Sequence, residues 1–420
     1  MQKDFMEFME NSTTAFQTVV QMAERLEAAG YEKLLERDTW KVEPGDKKYV
    51  VRNDSSVIAF SIPESGTSKA NGFHMVCAHS DSPCFKLKEN PCMTVEDHYL
   101  KLNVENYGGM IKESWFDRPL SLAGRVVVRK KDLELETRPV DLKKPLFIIP
   151  SLAVHMKRSK EKEGELNTQL HLLPMAGTVA DKEMFSEIVA RAAGAKKEDI
   201  LGTDLYLYPT DKPVLMGMEE ELIGSPRLDD LECVYCGLKA FLDSNPQDKI
   251  AVLAVFDNEE VGSQTMQGAA SDFLLSVLRR IADSLGEELL PLLAESFLVS
   301  ADNAHGLHPN YTDKADPTNR PMLNKGIVIK YHGSQKYTTS AYSGAYVKAL
   351  CDREKIPYQT YHNRSDIAGG STLGNIALTN VSVPAADVGM AQLAMHSAFE
   401  TAGTKDLEYM VQFMKAFYEV

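Results

Sequence analysis

The chain has 420 residues, of which 46 are basic and 60 acidic, giving a formal net charge of −14 at pH 7. This balance argues against nucleic acid or a membrane surface as the main partner, because both attract basic proteins. No apolar run approaches the roughly 20 residues of a membrane span, and the N-terminus lacks the pattern of a signal peptide. With only six cysteines, we expect a cytoplasmic protein with reduced thiols, and the length predicts two domains.

The first elements in chain order are two helices and three strands. Residues 4–29 predict the helices, with Ser12 as the N-cap of the second and Gly30 as its end. A loop is predicted at 65–72. Apolar runs predict buried strands at 48–52, 57–62 and 73–78.

A histidine and an aspartate directly follow the third strand. His79 would lie at the carboxyl edge of the sheet, where ligands of α/β proteins bind. Asp81 could accept a hydrogen bond from the second ring nitrogen, as zinc-ligating histidines usually require. The alternative is a histidine that caps a turn.

The pattern changes between residues 91 and 222, where short alternating runs predict strands around one helix at 183–193. We predict a β-rich inserted domain over 91–222, and an α/β domain formed by 1–90 and 223–420. Inside the insertion, the charged run 157–165 predicts a solvated loop. His155 is either a buried polar residue or a residue presented across an interface.

The second half returns to an α/β pattern. Asp229 precedes a predicted helix, where an aspartate is ordinarily an N-cap. Cys233 and Cys236 on that helix have no second cysteine pair, which favours buried thiols over a zinc site. The glycine-rich stretch 364–374 lacks the spacing of a nucleotide-binding loop and instead allows the backbone to approach a site closely.

An apolar strand at 250–255 leads directly into Glu259 and Glu260. Adjacent glutamates repel each other unless a positive charge lies between them. A divalent metal would supply that charge, leaving one glutamate as a ligand and its neighbour to move protons. The alternative is a solvated turn before a helix N-terminus.

Similar residues follow other strands of this half. Asp302 follows the apolar run 296–301, Lys330 ends the strand 326–330, and His396 precedes the terminal helix. Two histidines, two aspartates and a glutamate without cysteine form the ligand set expected for two zinc-like ions. Such a pair activates water as a hydroxide. That chemistry suits an aminopeptidase, and composition equally permits a deacylase of N-acyl amino acids.

Five motifs, in this order over nearly the whole chain, resemble the aspartyl aminopeptidases, a family of cytosolic di-zinc exopeptidases. They are His79–Pro83, Ser225–Asp230, Phe256–Ser263, Asp302–Tyr311 and Gln392–Ser397. The resemblance implies two divalent metal ions per subunit, with zinc as the first candidate and cobalt or manganese as alternatives. It assigns His79 and Asp302 to one ion, Glu260 and His396 to the other, Asp229 to both, Glu259 as general base and Asp81 as the residue that orients His79.

The resemblance also implies which residues touch the substrate. His305, Lys330 and Tyr337 match substrate-binding positions, and His155 matches a histidine that reaches the substrate from a neighbouring subunit. Lys330 suits an acidic side chain, so peptides with a free N-terminal Asp or Glu are the expected substrates. Some family members prefer neutral or basic residues, which leaves that preference as an alternative.

The family architecture would be a three-layer α/β/α catalytic domain with an inserted β-rich dimerisation domain, assembled as a tetrahedral dodecamer of dimers. Two other functions compete with the aminopeptidase. One is a di-zinc deacylase or amidase of small N-acyl substrates. The other is a catalytically silent shell or binding protein, against which the presence of Glu259 and the five ligand positions argues.

Overall fold

The computed structural model describes residues 1–64, 71–156, 166–179 and 181–420. The predicted loop at 157–165 and most of the one at 65–72 lie outside these residues. The helices are α1 Gln2–Asn11, α2 Ala15–Ala28, α3 Thr168–His171, α4 Lys182–Ala192, α5 Leu228–Asp243, α6 Phe273–Leu285, α7 Leu289–Ala294, α8 Ala341–Glu354, α9 Leu373–Ala377 and α10 Thr404–Tyr418.

The strands are β1 Glu32–Leu34, β2 Lys47–Arg52, β3 Ser56–Ser61, β4 Phe73–His79, β5 Cys84–Val95, β6 Tyr99–Tyr107, β7 Leu120–Lys131, β8 Glu134–Asp141, β9 Met175–Gly177, β10 Ile200–Pro209, β11 Val214–Met216, β12 Leu222–Ser225, β13 Ile250–Phe256, β14 Phe297–Ala301, β15 Ala304–His305, β16 Ile327–Tyr331, β17 Tyr358–His362, β18 Ala385–Gly389, β19 Ala391–Leu393 and β20 Glu400–Gly403.

The chain divides into two compact units. The first comprises Met1–Asp81, Pro213–Met395 and Glu400–Val420, and the second comprises Ser82–Lys212 and His396–Phe399. The expected insertion ran from 91 to 222, and the roles of the two units in catalysis and dimerisation stay predictions. Within the described ranges, no helix is long and apolar enough to cross a membrane.

The main sheet of the first unit has the strand order β1-β2-β3-β13-β4-β14-β18-β16-β17. Its central strands β13, β4, β14 and β18 run parallel to one another. Their carboxyl ends therefore meet at one edge, which is where α/β proteins bind ligands. A small sheet, β11-β12-β20-β19-β15, completes this unit.

The central strands are mostly apolar because both faces of the sheet are covered, and their exceptions include the buried His74 and Asp387. In β13, Leu253 and Val255 contribute to one apolar core, while Val252 and Ala254 contribute to the other. Helices α1, α2, α5, α8 and α10 supply side chains to the first core, and α6, α7 and α9 supply them to the second. This α/β/α arrangement of three layers confirms the predicted fold class.

The second unit is built on an antiparallel sheet with the order β8-β7-β10-β5-β6-β9. Phe185 and Val189 of α4 join a core with Leu122 and Leu205 from the sheet. The predicted helix at 183–193 and the β-rich character of the insertion are thus confirmed.

One predicted helix cap is wrong. The N-cap of α2 is Thr14, because Ser12 is the C-cap of α1, where its backbone N–H donates to the Phe8 carbonyl over 3.0 Å. Gly30 follows the end of α2 with a φ of +85°, as predicted for a glycine stop. Cys233 and Cys236 are buried on α5, and none of the six cysteines, all of them in described segments, forms a disulfide.

Candidate metal centre

Histidine and carboxylate side chains converge at the carboxyl edge of the central strands. His79 ends β4, the Glu259–Glu260 turn follows β13, and Asp302 follows β14. His79, Asp229, Asp230 and Asp302 each place one potential ligand atom within 4.8 Å of the others, and His79, Glu259 and Glu260 do the same. Four ligand positions expected from sequence, His79, Asp229, Glu260 and Asp302, thus lie together in the first unit, and the structure adds Asp230.

The imidazole of His79 is held between two aspartates. Its Nδ1 lies 3.0 Å from the Asp81 carbonyl oxygen and 3.4 Å from Asp81 Oδ1, while Nε2 lies 3.5 Å from Asp229 Oδ1. Burial lowers the pKa of His79, but the carboxylates of Asp230, Asp229 and Asp81 outweigh it and raise the pKa well above its usual value. Asp81 fixes the ring so that Nε2 faces the other carboxylates.

Asp81 also fixes the glutamate turn. Its Oδ1 accepts a hydrogen bond from the Glu259 N–H (3.1 Å) and its Oδ2 accepts one from the Glu260 N–H (3.2 Å). Asn258 begins the turn with a φ of +64°, a conformation that asparagine tolerates better than most residues. Burial and the charges of neighbouring aspartates raise the pKa of Glu259 to about 8, against the opposing effect of His79.

Asp229 and Asp230 lie at the start of α5, whose N-cap is Arg227 rather than Asp229. The backbone N–H of Asp229 donates to Glu400 Oε2 over 3.0 Å. Asp230 Oδ2 accepts a hydrogen bond of 3.2 Å from the His79 N–H. Sequence reasoning missed Asp230, although the adjacent pair of carboxylates was the available signal.

The loop after β14 is fixed by Lys330, which is 2% exposed. Its Nζ donates to the carbonyl oxygens of Asp302 (2.6 Å) and Asn303 (3.2 Å), and lies 3.4 Å from Asp302 Oδ1. Burial alone would lower the pKa of Lys330, but the Asp302 carboxylate raises it above its usual value. Lys330 therefore stabilises the loop that carries a metal-ligand candidate, whatever it contributes to substrate binding.

Asn303 is a second residue that sequence reasoning missed. Its Nδ2 lies 3.2 Å from the Leu228 carbonyl oxygen, 2.9 Å from Glu232 Oε2 and 2.9 Å from Gln392 Oε1. These bonds connect the Asp302 loop with the first turn of α5 and with β19. They fix Asp229 relative to Asp302.

The expected substrate residues fall into two groups. Lys330 Nζ lies 5.2 Å from the ring centroid of the buried Tyr337, and the rings of Tyr337 and His305 each adjoin that of Tyr361 (6.3 and 6.1 Å). These residues form one cluster in the first unit.

The two remaining histidines belong to the second unit. His155 is exposed in a 3₁₀ turn, Val154–Met156. The carbonyl oxygen of His396 accepts a hydrogen bond from the Ile111 N–H. Their places at the substrate and at the metal centre stay predictions.

The chemistry of the cluster fits a divalent metal ion. One imidazole and several carboxylates, without a thiolate, suit zinc and related ions. Burial and repulsion between carboxylates raise the pKa of Asp230 and Glu260 well above their usual values. Asp230 Oδ1 is buried and has no hydrogen-bond partner in the part of the chain that the structure describes. A buried oxygen of this kind is costly unless a cation or a donor compensates it.

Comparison with known proteins identifies the family. The family model described as Aminopeptidase I zinc metalloprotease (M18) matches residues 8–418. The chain is 42% identical to "Probable M18 family aminopeptidase 2" of Clostridium novyi (strain NT), over 99% of this chain and 98% of that protein.

Solved structures agree. One from the "Cryo-EM structure of the Ape4 and Nbr1 complex" has a TM-score of 0.94 and 35% identity, covering 99% of this chain and 84% of that one. Another, "Structure of S. cerevesiae mApe1 dodecamer", has a TM-score of 0.86 and 26% identity, covering 99% and 95%. The expected family relationship is confirmed: the chain belongs to the M18 family and is a metallo-aminopeptidase.

Proposed function

We propose that the protein removes one residue at a time from peptides with a free N-terminus, with two divalent metal ions and Glu259 as general base. The observation that carries this proposal is the buried group of His79, Asp229, Asp230 and Asp302, next to the Glu259–Glu260 turn. A glutamate held beside candidate ligands, but not needed as one, is available for proton transfer.

The ligands follow the assignment that the resemblance implies. His79 and Asp302 would hold one ion, Glu260 and His396 the other, and Asp229 both. Zinc is the first candidate, with cobalt or manganese as alternatives. When bound, the ions supply an activated water and polarise the substrate carbonyl.

The remaining steps belong to protein side chains. The Glu259 carboxylate accepts a proton from the attacking water and passes it to the amine that leaves. Asp81 holds the backbone of Glu259 and the ring of His79 at once, so it positions the base relative to a ligand. That position matters because proton transfer requires hydrogen-bond distance.

We assign the substrates to peptides that begin with Asp or Glu. An ammonium group has three N–H donors, and two of those on Lys330 bond to backbone carbonyls. The third lies toward Asp302 Oδ1 at 3.4 Å, longer than an ordinary hydrogen bond, and a substrate carboxylate that reaches Lys330 would take this donor over from Asp302. Tyr337 and His305 belong to the same cluster and would line the pocket of the first side chain.

The assembly is a further part of the proposal. The yeast relative is described as a dodecamer, and we assign a dodecamer to this chain, arranged as the tetrahedral dodecamer of dimers that the family resemblance implies. His155 is exposed on its own unit, which suits a residue that reaches the substrate of a neighbouring subunit. Sedimentation and cryo-EM of the purified protein test the assembly directly.

The experiment that tests the function is a peptide panel. Purified protein loaded with zinc, cobalt or manganese receives peptides that differ only in the first residue, including Asp, Glu, Leu and Lys, with acetylated versions as controls. We expect Asp and Glu to be released fastest and acetylation to stop cleavage. Faster release of Leu or Lys would refute the acidic preference, and cleavage of acetylated substrates alone would favour the deacylase.

A further inference from the structure

Two loops of the first unit surround the cluster of Lys330 and Tyr337. The tyrosine loop, residues 332–340, connects β16 with α8, and the glycine-rich loop, residues 363–372, connects β17 with α9. Toward the surface the loops touch at two contacts: the half-buried Lys336 donates through Nζ to the Gly369 carbonyl over 3.1 Å, and His332 Nε2 lies 3.1 Å from the Ala368 carbonyl oxygen.

The buried ends of the two loops meet on one side chain, Asp387 of β18. Its Oδ2 accepts hydrogen bonds from both the backbone N–H and the hydroxyl of Thr338, the latter over 2.6 Å. Its Oδ1 accepts a hydrogen bond of 2.6 Å from the Thr372 hydroxyl. Asp387 is fully buried, and in the sheet its Cα pairs with that of Lys330.

These bonds hold the parts of the loops that face the cluster. Thr338 directly follows Tyr337, so its two hydrogen bonds to Asp387 determine the position of the Tyr337 ring relative to Lys330. In the glycine-rich loop, residues 363–371 are exposed or half-buried, whereas Thr372 is buried. Thr372 precedes α9 but uses its hydroxyl for Asp387 instead of capping that helix.

The start of α9 is also pressed against the strand that leads to the metal centre. A Cβ added to Gly374 would lie 2.6 Å from the Cβ of Ser300, two residues before Asp302. Thr372 therefore attaches the end of the glycine-rich loop next to a close contact with β14, while Asn363 attaches its beginning to the Tyr361 hydroxyl over 2.7 Å.

We propose that Asp387 is a positioning residue that joins the tyrosine loop and the glycine-rich loop into one pocket wall and thereby determines selectivity for the first residue of the substrate. The inference rests on the proposed function, because selectivity is defined by the peptides that the enzyme cleaves. Asp387 acts through Thr338 and Thr372 and does not touch the substrate.

Three substitutions separate positioning from charge. Asp387→Ala removes every bond of the side chain. Asp387→Asn removes the charge but can keep the bonds, since its carbonyl can accept from Thr338 while its amide donates to the Thr372 hydroxyl, which is both donor and acceptor. Thr372→Val detaches the glycine-rich loop alone. Thr379→Val is the matched control, because Thr379 is exposed and its hydroxyl bonds only locally, to the Ile376 carbonyl.

The readout is kcat/KM for peptides that differ in the first residue. In Asp387→Ala and Thr372→Val, we expect the ratio between the best and the worst first residue to fall about tenfold, which is about 1.4 kcal/mol, mainly through KM. Asp387→Asn should retain most of the ratio, as should Thr379→Val, and metal content should be unchanged in all four. If Asp387→Asn lowered the ratio as much as Asp387→Ala, the charge of Asp387 and not its hydrogen bonds would be responsible, which would overturn the positioning role. An unchanged ratio in Thr372→Val would overturn the role of the joined loops in selectivity.

Hydrogen exchange gives a measurement that does not depend on activity. Asp387→Ala should increase exchange in both loops, and Thr372→Val should increase it in the glycine-rich loop. Unchanged exchange in Asp387→Ala would overturn the attachment itself. A wild-type enzyme that cleaves no free N-terminus would instead refute the proposed function, while the exchange result still decides whether Asp387 joins the loops.

Discussion

Replacement of Lys330 by methionine tests two roles of one side chain. Methionine has a similar length but no donor, so the carbonyl oxygens of Asp302 and Asn303 would lose the ammonium that now lies 2.6 and 3.2 Å away. The Asp302 carboxylate would also lose its buried cation, 3.4 Å away. Breaking a buried ion pair by removing one partner costs about 3–5 kcal/mol, and we expect a loss of that size in the free energy of unfolding.

The activity assay uses the same peptide panel as above. Because the Asp302 loop carries a metal-ligand candidate, kcat/KM should fall for every first residue. If the third donor of Lys330 binds the substrate, kcat/KM for Asp and Glu should fall about tenfold further, which is a typical cost for a lost hydrogen bond to a charged group. Lys325→Met is the control, because Lys325 is exposed and lies just before the same strand.

Two results would contradict this reasoning separately. A Lys330→Met protein as stable as wild type would show that the lysine does not hold the Asp302 loop. An equal loss of kcat/KM for acidic and neutral first residues would show that it does not select acidic substrates. The sequence alone predicted only the selective loss, since the two carbonyl bonds were not foreseeable from it.

Further predictions concern the base, the bridging ligand and a buried histidine. Glu259→Gln should keep its metal and its assembly while kcat falls about a hundredfold to ten-thousandfold; metal analysis beside kcat checks this, and retained turnover would exclude Glu259 as the base. Asp229→Ala should lose both ions, and full metal occupancy would contradict a bridging role. Burial, reinforced by Lys249, lowers the pKa of His74 to about 4, below the value of about 6.5 in an unfolded chain. The unfolded state therefore binds more protons between these values, and the free energy of unfolding should fall by about 3 kcal/mol as the pH drops through them. In His74→Gln, the free energy of unfolding measured by denaturation should depend less steeply on pH over this range. An equal pH dependence in wild type and variant would contradict the assignment.

The sequence was sufficient for the features that depend on local pattern. Apolar runs predicted β4 and β13, uninterrupted in β13 and broken only by His74 within 73–78 of β4, because strands covered by helices on both faces need mainly apolar side chains. Parallel strands share one carboxyl edge, so residues that directly follow them could be expected to meet. His79, Glu259, Glu260 and Asp302 do so in the structure.

Features that depend on long-range partners were not predictable in this way. Asp230 bonds to the backbone of His79, 151 residues earlier, and Asn303 bonds to Glu232, 71 residues earlier. No periodicity connects such positions. The α2 cap fails for a related reason: Ser12 and Thr14 are both good N-cap residues, and the choice depends on where the preceding helix ends.

Asp81, Asn303 and Asp387 show why these long-range residues matter for catalysis. In a parallel sheet, neighbouring strands are connected by long crossover segments. Loops that are adjacent at the carboxyl edge are therefore far apart in sequence. Local hydrogen bonds cannot connect them. Asn303 and Asp387 each bond to two such segments, and Asp81 bonds to the Glu259–Glu260 turn as well as to His79 of its own segment. Ligands at the ends of strands supply the chemistry of the centre. We therefore expect the activity and selectivity of the enzyme to depend also on residues that never touch the substrate.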